Sequence, residues 1–242
     1  MARTSDEIKQ AVQEHYGERA RQASSCCGPS QRDELYVVGE VADLPDTVAS
    51  YGCGNPTAIA GLQEGEVVLD LGSGPGLDCF LAAKQVGASG HVIGLDMTQD
   101  MLDLANGNRD KLGLSNVEFR KGEMEAMPVD DGAVNVIISN CVINLSPDKD
   151  AVFRESFRVL KPGGRFHVSD VVLQRELSAS ERDDLALWAG CAAGALLEGD
   201  YLSKLSAAGF VNLNVDSRAG IGDKPWYSAT ISAHKAAHAS CC

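Results

Sequence analysis

The sequence has no long apolar run, few aromatic residues and a shortage of basic residues. Aromatic side chains make up 5% of the 242 residues, and 34 acidic residues outnumber 21 basic ones, for a formal net charge of −13. An acidic surface repels phosphate backbones and anionic lipid headgroups, so nucleic acids and membrane surfaces are poor candidate partners. No stretch reaches the roughly 18–20 apolar residues of a membrane-spanning helix.

Signal-peptide and zinc-binding patterns are also missing. Residues 1–21 are polar and contain no apolar core of a signal peptide, so we expect the protein in the cytoplasm. In a reducing compartment, cysteines remain thiols that are free for ligation or redox chemistry. None of the eight cysteines has the paired CxxC spacing of a structural zinc site, which disfavours such a site. They occupy positions 26, 27, 53, 79, 141, 191, 241 and 242.

Short apolar runs alternate with helical stretches from residue 66 onward. The runs predict strands at 66–71, 91–96, 117–121, 134–139 and 164–169. The stretches between them predict helices, notably at 77–86, 99–112 and 149–160. This alternation predicts an α/β fold with a doubly wound, mostly parallel sheet that is covered by helices on both faces.

The segments on either side of this core have different patterns. Residues 5–23 predict an amphipathic helix, with Thr4 and Glu7 at the spacing of a capping box. Residues 24–30 break that pattern and predict a loop, and residues 31–62 are irregular. Beyond residue 173, the pattern predicts helices at 178–197 and 200–208 and strands at 211–217 and 226–233. The core therefore has an N-terminal helical and loop segment and a smaller C-terminal α+β region.

A glycine-rich turn follows the first predicted strand directly. Residues 67–76 read Val-Val-Leu-Asp-Leu-Gly-Ser-Gly-Pro-Gly, and glycines there allow tight curvature and close approach of a ligand. A dinucleotide fingerprint would need a further glycine at Leu77, whereas here the acidic Asp70 stands two residues before Gly72. This variant resembles the first motif of class I S-adenosylmethionine-dependent methyltransferases. An acidic side chain suits the ammonium group of methionine, whereas it would repel a pyrophosphate.

Further features follow in the order found in that family. Asp96 ends the second predicted strand and is placed to accept hydrogen bonds from ribose hydroxyls. Glu123 and Met124 follow the third strand and would face an adenine ring, and residues 160–164, Leu-Lys-Pro-Gly-Gly, precede the fifth. The resemblance implies a Rossmann-like fold and S-adenosylmethionine as cofactor. The predicted cofactor-binding residues are Asp70, Gly72, Gly74, Gly76, Asp96, Met97, Glu123 and Met124.

Three cysteines lie in distinctive surroundings. Cys53 lies in Tyr-Gly-Cys-Gly, Cys141 in Ser-Asn-Cys-Val-Ile-Asn-Leu, and Cys191 in Ala-Gly-Cys-Ala-Ala-Gly-Ala-Leu. Together with Cys26 and Cys27, these segments resemble the arsenite methyltransferase family, and the resemblance covers essentially the whole chain. It implies that Cys53, Cys141 and Cys191 bind trivalent arsenic and are needed for its methylation. Cys26 and Cys27 are further candidate ligands.

Elementary chemistry supports this resemblance. Cys141 follows the carboxyl end of the fourth predicted strand, the end at which ligands bind in open α/β sheets. Thiolates are soft ligands that suit a thiophilic centre. Trivalent arsenic keeps a lone pair that can attack a sulfonium methyl with no proton removed first. None of the five histidines lies in a motif for the general base that an O- or N-methyltransferase often needs.

The resemblance also implies substrates, partners and a division of the chain. The substrates would be arsenite and methylated trivalent arsenicals such as methylarsenite, which the enzyme would detoxify. A disulfide formed by the cysteines would return arsenic to the trivalent state, and glutathione or thioredoxin would reduce it. The predicted regions are an N-terminal helix with cysteine-bearing loops at 1–62, the S-adenosylmethionine-binding domain at 63–173, an arsenic-binding region at 174–235 and a flexible tail at 236–242.

Two alternatives stay open at this point. One is a C-methyltransferase that acts on a quinone-like or sterol-like carbon acid, whose sheet motifs are similar. The other is a non-catalytic thiol protein that binds arsenic. Cys79, inside a predicted helix, is typical of a small buried hydrophobe. The tail with His238, Cys241 and Cys242 is predicted to have no catalytic role.

Overall fold

The computed structural model describes residues 3–23, 36–221 and 223–237. The predicted loop at 24–30, with Cys26 and Cys27, lies outside the described residues, and so do Cys241 and Cys242 of the predicted tail. Among the described residues, no helix combines the length and apolar character needed to cross a membrane.

Helices and strands alternate through the middle of the chain. Helices α1, α2 and α3 come first, at Ser5–Ala23, Val38–Val41 and Pro56–Ile59. The alternating part comprises β1 (Val67–Leu71), α4 (Leu77–Val86), β2 (His91–Asp96), α5 (Gln99–Leu112), β3 (Val117–Lys121), β4 (Val134–Asn140), α6 (Lys149–Val159) and β5 (Leu160–Leu173). It is followed by α7 (Ala179–Arg182), α8 (Leu185–Ala189), β6 (Leu196–Leu197), α9 (Glu198–Ala207), β7 (Val211–Gly220) and β8 (Trp226–His234).

These strands form one sheet in the described part of the chain. Its order is β3-β2-β1-β4-β5-β8-β7, and β6 pairs with the end of β5. Strands β1 to β5 are parallel to one another, whereas β8 runs antiparallel to both β5 and β7. The prediction of a mostly parallel α/β sheet is confirmed. Residues 211–234 extend this same sheet, and the region boundaries at 62, 173 and 235 stay predictions.

Alternation along the strands explains why helices cover both faces. In β1, Leu69 and Leu71 pack into one core cluster with Phe153 of α6, whereas Val68 packs into a second cluster with Phe80 of α4. Side chains alternate between the two faces of a strand, so a strand that is apolar at successive positions must be covered on both sides. The sheet is therefore a central layer between two helical layers.

The predicted helix at 178–197 is wrong as a continuous element. The chain instead forms the two short helices α7 and α8, and a turn then carries Cys191 before β6 begins. Cys191 has a φ of 63°, which no α-helix accommodates. At Gly194, a Cβ atom would lie 2.0 Å from the backbone oxygen of Asn144, so close packing against that backbone requires glycine and bends the segment.

Helix α1 crosses the sheet at the carboxyl ends of the parallel strands. Thr4 and Glu7 form the predicted capping box, because the Glu7 amide donates to Thr4 Oγ1 at 3.2 Å and the Thr4 amide donates to Glu7 Oε2 at 2.8 Å. Lys9 Nζ pairs with Glu123 Oε2 at 2.6 Å, and Gln13 donates to the Met97 carbonyl at 3.4 Å. These partners follow β3 and β2, so α1 covers the edge where a ligand of this fold would bind.

Candidate active site

A cleft with about 950 Å³ of empty space, open solvent included, lies at the carboxyl ends of the parallel strands. The predicted cofactor-binding residues line it with the exception of Gly76, which is the N-cap of α4. Cys141 also lines the cleft, whereas Cys53 and Cys191 do not. The structure therefore brings the glycine turn and one of the three predicted thiols to the same cavity.

The glycine turn has the backbone shape that its sequence predicts. Gly72 has a φ of 64°, and a Cβ atom there would lie 2.2 Å from Cγ1 of Val142. Gly76 has a φ of 97°, and its Cβ atom would lie 2.6 Å from the ring of Phe80. Both positions need glycine for conformation and for space. Gly74 has a φ of 50° but faces open space, so a ligand can approach its backbone.

Two carboxylates prepare this end of the cleft for a polar ligand. Asp96 accepts hydrogen bonds from the Gly74 amide at 2.9 Å and from the Thr98 amide at 2.8 Å, which fixes the turn to the end of β2. Asp70 is 2% exposed and accepts a hydrogen bond from the Cys79 thiol. Burial, followed by the nearby charge of Asp78, raises the pKa of Asp70 well above its usual range. A bound cation would relieve this penalty.

The residues present fit S-adenosylmethionine. Ser73 Oγ is buried and has no hydrogen-bond partner, and Ser73 lines the cleft. A buried hydroxyl without a partner is costly, so it is a ready site for a polar group of a ligand. Apolar side chains such as Met101 and Leu95 line the same cavity beside the acidic ones. A ligand with an ammonium group, hydroxyls and a flat apolar ring matches this lining.

The thiols of Cys53, Cys141 and Cys191 meet around Cys141. Hydrogen bonds with the Cys191 and Cys53 thiols, together with burial, raise the pKa of the Cys141 thiol well above its usual range. The Cys191 thiol also donates to the backbone carbonyl of Cys141. Cys141 and Cys191 are buried, and Cys53 is half-buried. All three are free thiols.

The thiols do not form a ready-made cage. Within the described residues, no three His, Cys, Asp or Glu side chains are arranged as a preformed ion site. Cys141 packs in one apolar cluster with Cys191 and Cys53. The three side chains are therefore neighbours in the fold.

Two of the three cysteines have left-handed backbone conformations. Cys141 has a φ of 64° and Cys191 a φ of 63°, and Asn212 is the one other non-glycine residue with positive φ in the described ranges. A non-glycine residue in this region costs about 1–2 kcal/mol. Such strain concentrates at functional sites, where surrounding contacts maintain it. Here the Cys141 amide donates to the Ser169 carbonyl at 2.7 Å, which ties the turn after β4 to β5.

Buried polar side chains lie next to the thiols, and the sequence analysis did not identify them. Burial lowers the pKa of Lys149 to about 8, and its Nζ donates to the Ser146 carbonyl at 2.7 Å. Burial raises the pKa of Asp170 to about 7. Burial first, and then Asp170 and the cysteines, raise the pKa of Tyr201. These groups are satisfied by one another and by backbone, so they stabilise the thiol-bearing segments.

Helix α1 supplies a wall of the site that its sequence pattern did not indicate. Lys9, Val12 and Tyr16 line the cleft. The Tyr16 hydroxyl donates to the Ala189 carbonyl at 3.1 Å, just before Cys191. Burial first, and then the charges of Cys191 and Cys141, raise the pKa of Tyr16. The amphipathic stripe predicted the helix, but no local signal could show that its apolar side faces the thiols.

Comparison with known proteins agrees with this geometry. A family model described as a methyltransferase domain matches residues 62–209. An arsenite methyltransferase from Halobacterium salinarum is 42% identical over 233 residues, covering 86% of this chain and 58% of that protein. Another from Aquipseudomonas alcaligenes is 38% identical over 248 residues, covering 92% of this chain and 71% of that protein. The chain therefore spans 58% and 71% of the lengths of these two relatives.

A solved structure shows the same relationship. An arsenic(III) S-adenosylmethionine methyltransferase from Chlamydomonas reinhardtii matches with a TM-score of 0.69 at 38% identity. The match covers 82% of this chain and 72% of that one. With the fold, the glycine turn and relatives that match most of the sequence, the chain belongs to the arsenite methyltransferase family of S-adenosylmethionine-dependent methyltransferases.

Proposed function

We propose that this protein methylates trivalent arsenic, as arsenite or methylarsenite, while the thiols of Cys53, Cys141 and Cys191 hold the substrate. The observation that carries the proposal is the position of Cys141, which lines the cleft and packs in one apolar cluster with Cys53 and Cys191. Methyl donor and thiol-bound acceptor would then meet without a long movement. A methyltransferase for a quinone or a sterol would not need three thiols beside its cofactor cleft.

The thiols exchange with the oxygen ligands of arsenic. For each cysteine, one arsenic–sulfur bond forms and one arsenic–oxygen bond breaks, and the thiol proton leaves with the hydroxide as water. Because the pKa of the Cys141 thiol is raised, the thiol stays protonated until the exchange. Its proton is then taken by the hydroxide that leaves arsenic, and no separate base is needed. Three sulfurs on one side of the arsenic leave its lone pair on the other side, toward the cleft.

The cleft residues hold the methyl donor in place. When bound, S-adenosylmethionine supplies an electrophilic methyl carbon on a sulfonium, which a lone pair can attack without prior removal of a proton. Asp70 stabilises a cation at the inner end of the cleft, and Asp96 presents carboxylate oxygens to hydroxyl donors. The buried apolar surroundings of Cys141 exclude water from the region between the two ligands.

The proposal includes a redox cycle. Methyl transfer consumes the lone pair and raises arsenic from the trivalent to the pentavalent state. Arsenic regains its electron pair when two of the cysteine sulfurs bound to it leave and join as one disulfide. Two arsenic–sulfur bonds break and one sulfur–sulfur bond forms, and a water then binds the cationic arsenic and releases one proton. Two external thiols, from glutathione or a thioredoxin, reopen the disulfide by exchange. Such a cycle belongs in a reducing compartment, which agrees with a cytoplasmic protein.

One assay tests the proposal. Purified protein is incubated with S-adenosylmethionine, arsenite and glutathione, and the arsenic species are separated and quantified over many turnovers. We expect methylated arsenic from the wild type and about a thousandfold less from Cys141→Ser and Cys191→Ser, because the weaker donor oxygen replaces a soft ligand. The double variant Cys241→Ser/Cys242→Ser is the matched control and should retain wild-type turnover.

Two results would contradict the proposal. Tight retention of arsenite without any methylated product would favour a binding protein. Methylation that persists at the wild-type rate in Cys141→Ser would show that the thiol cluster does not hold the acceptor.

A further inference from the structure

Asn140 lies where the cleft meets the thiol cluster. It is the last residue of β4, it precedes Cys141, and its side chain lines the cleft. The residues opposite it are the Cys53 loop, which we define as residues 50–55. This loop lies outside the sheet and carries Cys53, the half-buried member of the thiol cluster.

The amide of Asn140 binds the backbone of the Cys53 loop. Its Oδ1 accepts hydrogen bonds from the Cys53 amide at 3.0 Å and from the Gly54 amide at 3.2 Å. Its Nδ2 donates to the Gly54 carbonyl at 2.7 Å. An amide oxygen has two lone pairs, so this loop uses the whole acceptor capacity of the side chain. Asn140 therefore replaces the strand partner that the loop lacks.

The other face of the same amide contacts the glycine-turn side of the cleft. Nδ2 lies 2.9 Å from the Tyr36 hydroxyl and 3.3 Å from Asp78 Oδ2. Tyr36 in turn donates to Asp78 Oδ1 at 2.9 Å, and both side chains are buried. Asp78 lies in the first turn of α4, directly after the glycine turn. One side chain thus connects the Cys53 loop to the element that shapes the cofactor site.

The loop is packed against Asn140 without spare room. A Cβ atom on Gly52 would lie 2.1 Å from Oδ1 of Asn140, and one on Gly54 would lie 2.5 Å from Oγ of Ser169. Both glycines that flank Cys53 therefore allow the loop backbone to touch β4 and β5 directly. This close packing fixes the position of the loop backbone, and the loop backbone in turn fixes the position of the Cys53 sulfur.

We infer that Asn140 is a positioning residue that fixes the Cys53 loop so that its thiol reaches Cys141 beside the cofactor cleft. The inference rests on the proposed function, and it adds a determinant of how the third sulfur joins the other two. Asn140 acts through the backbone of Cys53 and Gly54 and does not itself hold arsenic. Its removal frees the loop, while Cys141 and Cys191 keep their places in the turn after β4 and the turn after α8.

The first experiment compares Asn140→Ala and Asn140→Asp with Asn135→Ala. Asn135 is a matched control, because it lies at the opposite end of β4 and also accepts a backbone hydrogen bond, from the Val67 amide at 3.0 Å. Asn140→Asp keeps the shape but cannot donate to the Gly54 carbonyl, and its carboxylate faces Asp78. We expect both Asn140 variants to lose about 100-fold in kcat/KM for arsenite, the cost of a misplaced reacting group.

Two readouts separate positioning from a general loss of stability. X-ray absorption of the arsenite-loaded protein should show one fewer sulfur neighbour in Asn140→Ala than in the wild type. Peptide-resolved alkylation of the arsenic-free protein should be about tenfold faster at Cys53, the factor for one lost hydrogen bond. Cys79, buried in α4, serves as the internal control and should stay protected in every variant.

A second variant approaches the contact from the loop. Gly52→Ala places a methyl group where the Asn140 amide lies, so it should free Cys53 to alkylation as Asn140→Ala does. In the double variant Asn140→Ala/Gly52→Ala, the shortened side chain at 140 leaves room for the methyl group at 52. The second substitution should therefore raise the alkylation rate of Cys53 by less than it does alone. Additive effects would overturn the inference even if one variant folds poorly.

The outcomes distinguish this inference from the proposed function. A wild type that binds no arsenite defeats the proposed function, while faster alkylation of Cys53 in Asn140→Ala would still support the positioning role. Unchanged alkylation of Cys53 and an unchanged sulfur count in both Asn140 variants would overturn the positioning role while arsenic methylation stands.

Discussion

The glycine turn and the thiol cluster adjoin each other at Cys141, but the chain builds them in different ways. The turn comes from consecutive residues, 72–76, whose conformation is set by positive φ values at Gly72, Gly74 and Gly76. The cluster comes from three separate segments, and two of its members carry backbone strain that glycine would have avoided. The proposed cofactor site is thus built by a local device, whereas the proposed substrate site is assembled by long-range contacts. The two should therefore fail for different reasons.

The largest expected effect comes from breaking the local device. Gly76→Ala puts a methyl group at a φ of 97° and 2.6 Å from the ring of Phe80. We expect the free energy of unfolding to fall by about 3 kcal/mol, the sum of strain and overpacking, and cofactor affinity to fall with it. Urea unfolding and calorimetric titration measure both. Arsenite retention at low temperature should persist in the folded protein.

Gly74→Ala is the control for this prediction. Its φ of 50° is also positive, but its Cβ atom meets open space, so the cost should be about 1 kcal/mol. Equal losses for the two variants would show that space around Gly76 does not matter.

A medium effect should appear on the substrate side as pH dependence. Burial raises the pKa of Asp170 from 3.8 to about 7, so between these values the folded protein keeps a proton that the unfolded chain releases. The contribution of this group to stability is greatest below about pH 4 and declines as the pH rises toward 7. Asp170→Asn removes that decline.

Urea unfolding at several pH values checks this expectation. The stability of Asp170→Asn relative to the wild type should increase from pH 4 to pH 7 and level off above. Asp103→Asn, which replaces an exposed carboxylate on α5, should show no such trend. A flat difference curve for Asp170→Asn would contradict the raised pKa.

The smallest expected effect measures the strain in the cluster. Cys191→Gly should be about 1 kcal/mol more stable than Cys191→Ala, because glycine accepts a φ of 63° without a steric penalty. At Cys79, inside α4, the order should reverse, since glycine in a helix costs about 1 kcal/mol relative to alanine. Thermal unfolding of the four variants measures the difference in stability between glycine and alanine at each position. If alanine were the more stable substitution at both positions, backbone strain at Cys191 would be ruled out.

The cofactor half of the molecule could be predicted closely from sequence. The predicted bounds of β2, β3, α4 and α5 agree with the structure residue for residue, because each element has a clear local pattern between glycine or polar breaks. β5 extends beyond its prediction, to Leu160–Leu173, since β8 pairs with it as far as Leu173. Local pattern carries no information about such pairing.

The substrate half depended more on tertiary contacts. The resemblance singled out three cysteines that the fold places in one apolar cluster, and their role stays a proposal. The predicted helix ran through Cys191, although Gly190 and Gly194 on either side of it are weak helix formers that could have indicated the break. Asn140 lies in the Ser-Asn-Cys-Val-Ile-Asn-Leu segment around Cys141, but its hydrogen-bond partner is the backbone of a loop that is distant in sequence. A backbone partner has no identity in a sequence, so no pattern of residue types could have indicated the contact.

Helix α1 contacts both the cleft and the thiol cluster. It binds residues that follow β2 and β3 through Gln13 and Lys9, and it binds the Cys191 segment through Tyr16. Val12 packs in the same apolar cluster as Cys141 and Cys191. Fraying of this one helix would admit water to the methyl donor and to the thiols at once, so hydrogen exchange at the cleft and at the Cys191 turn should share a single opening free energy.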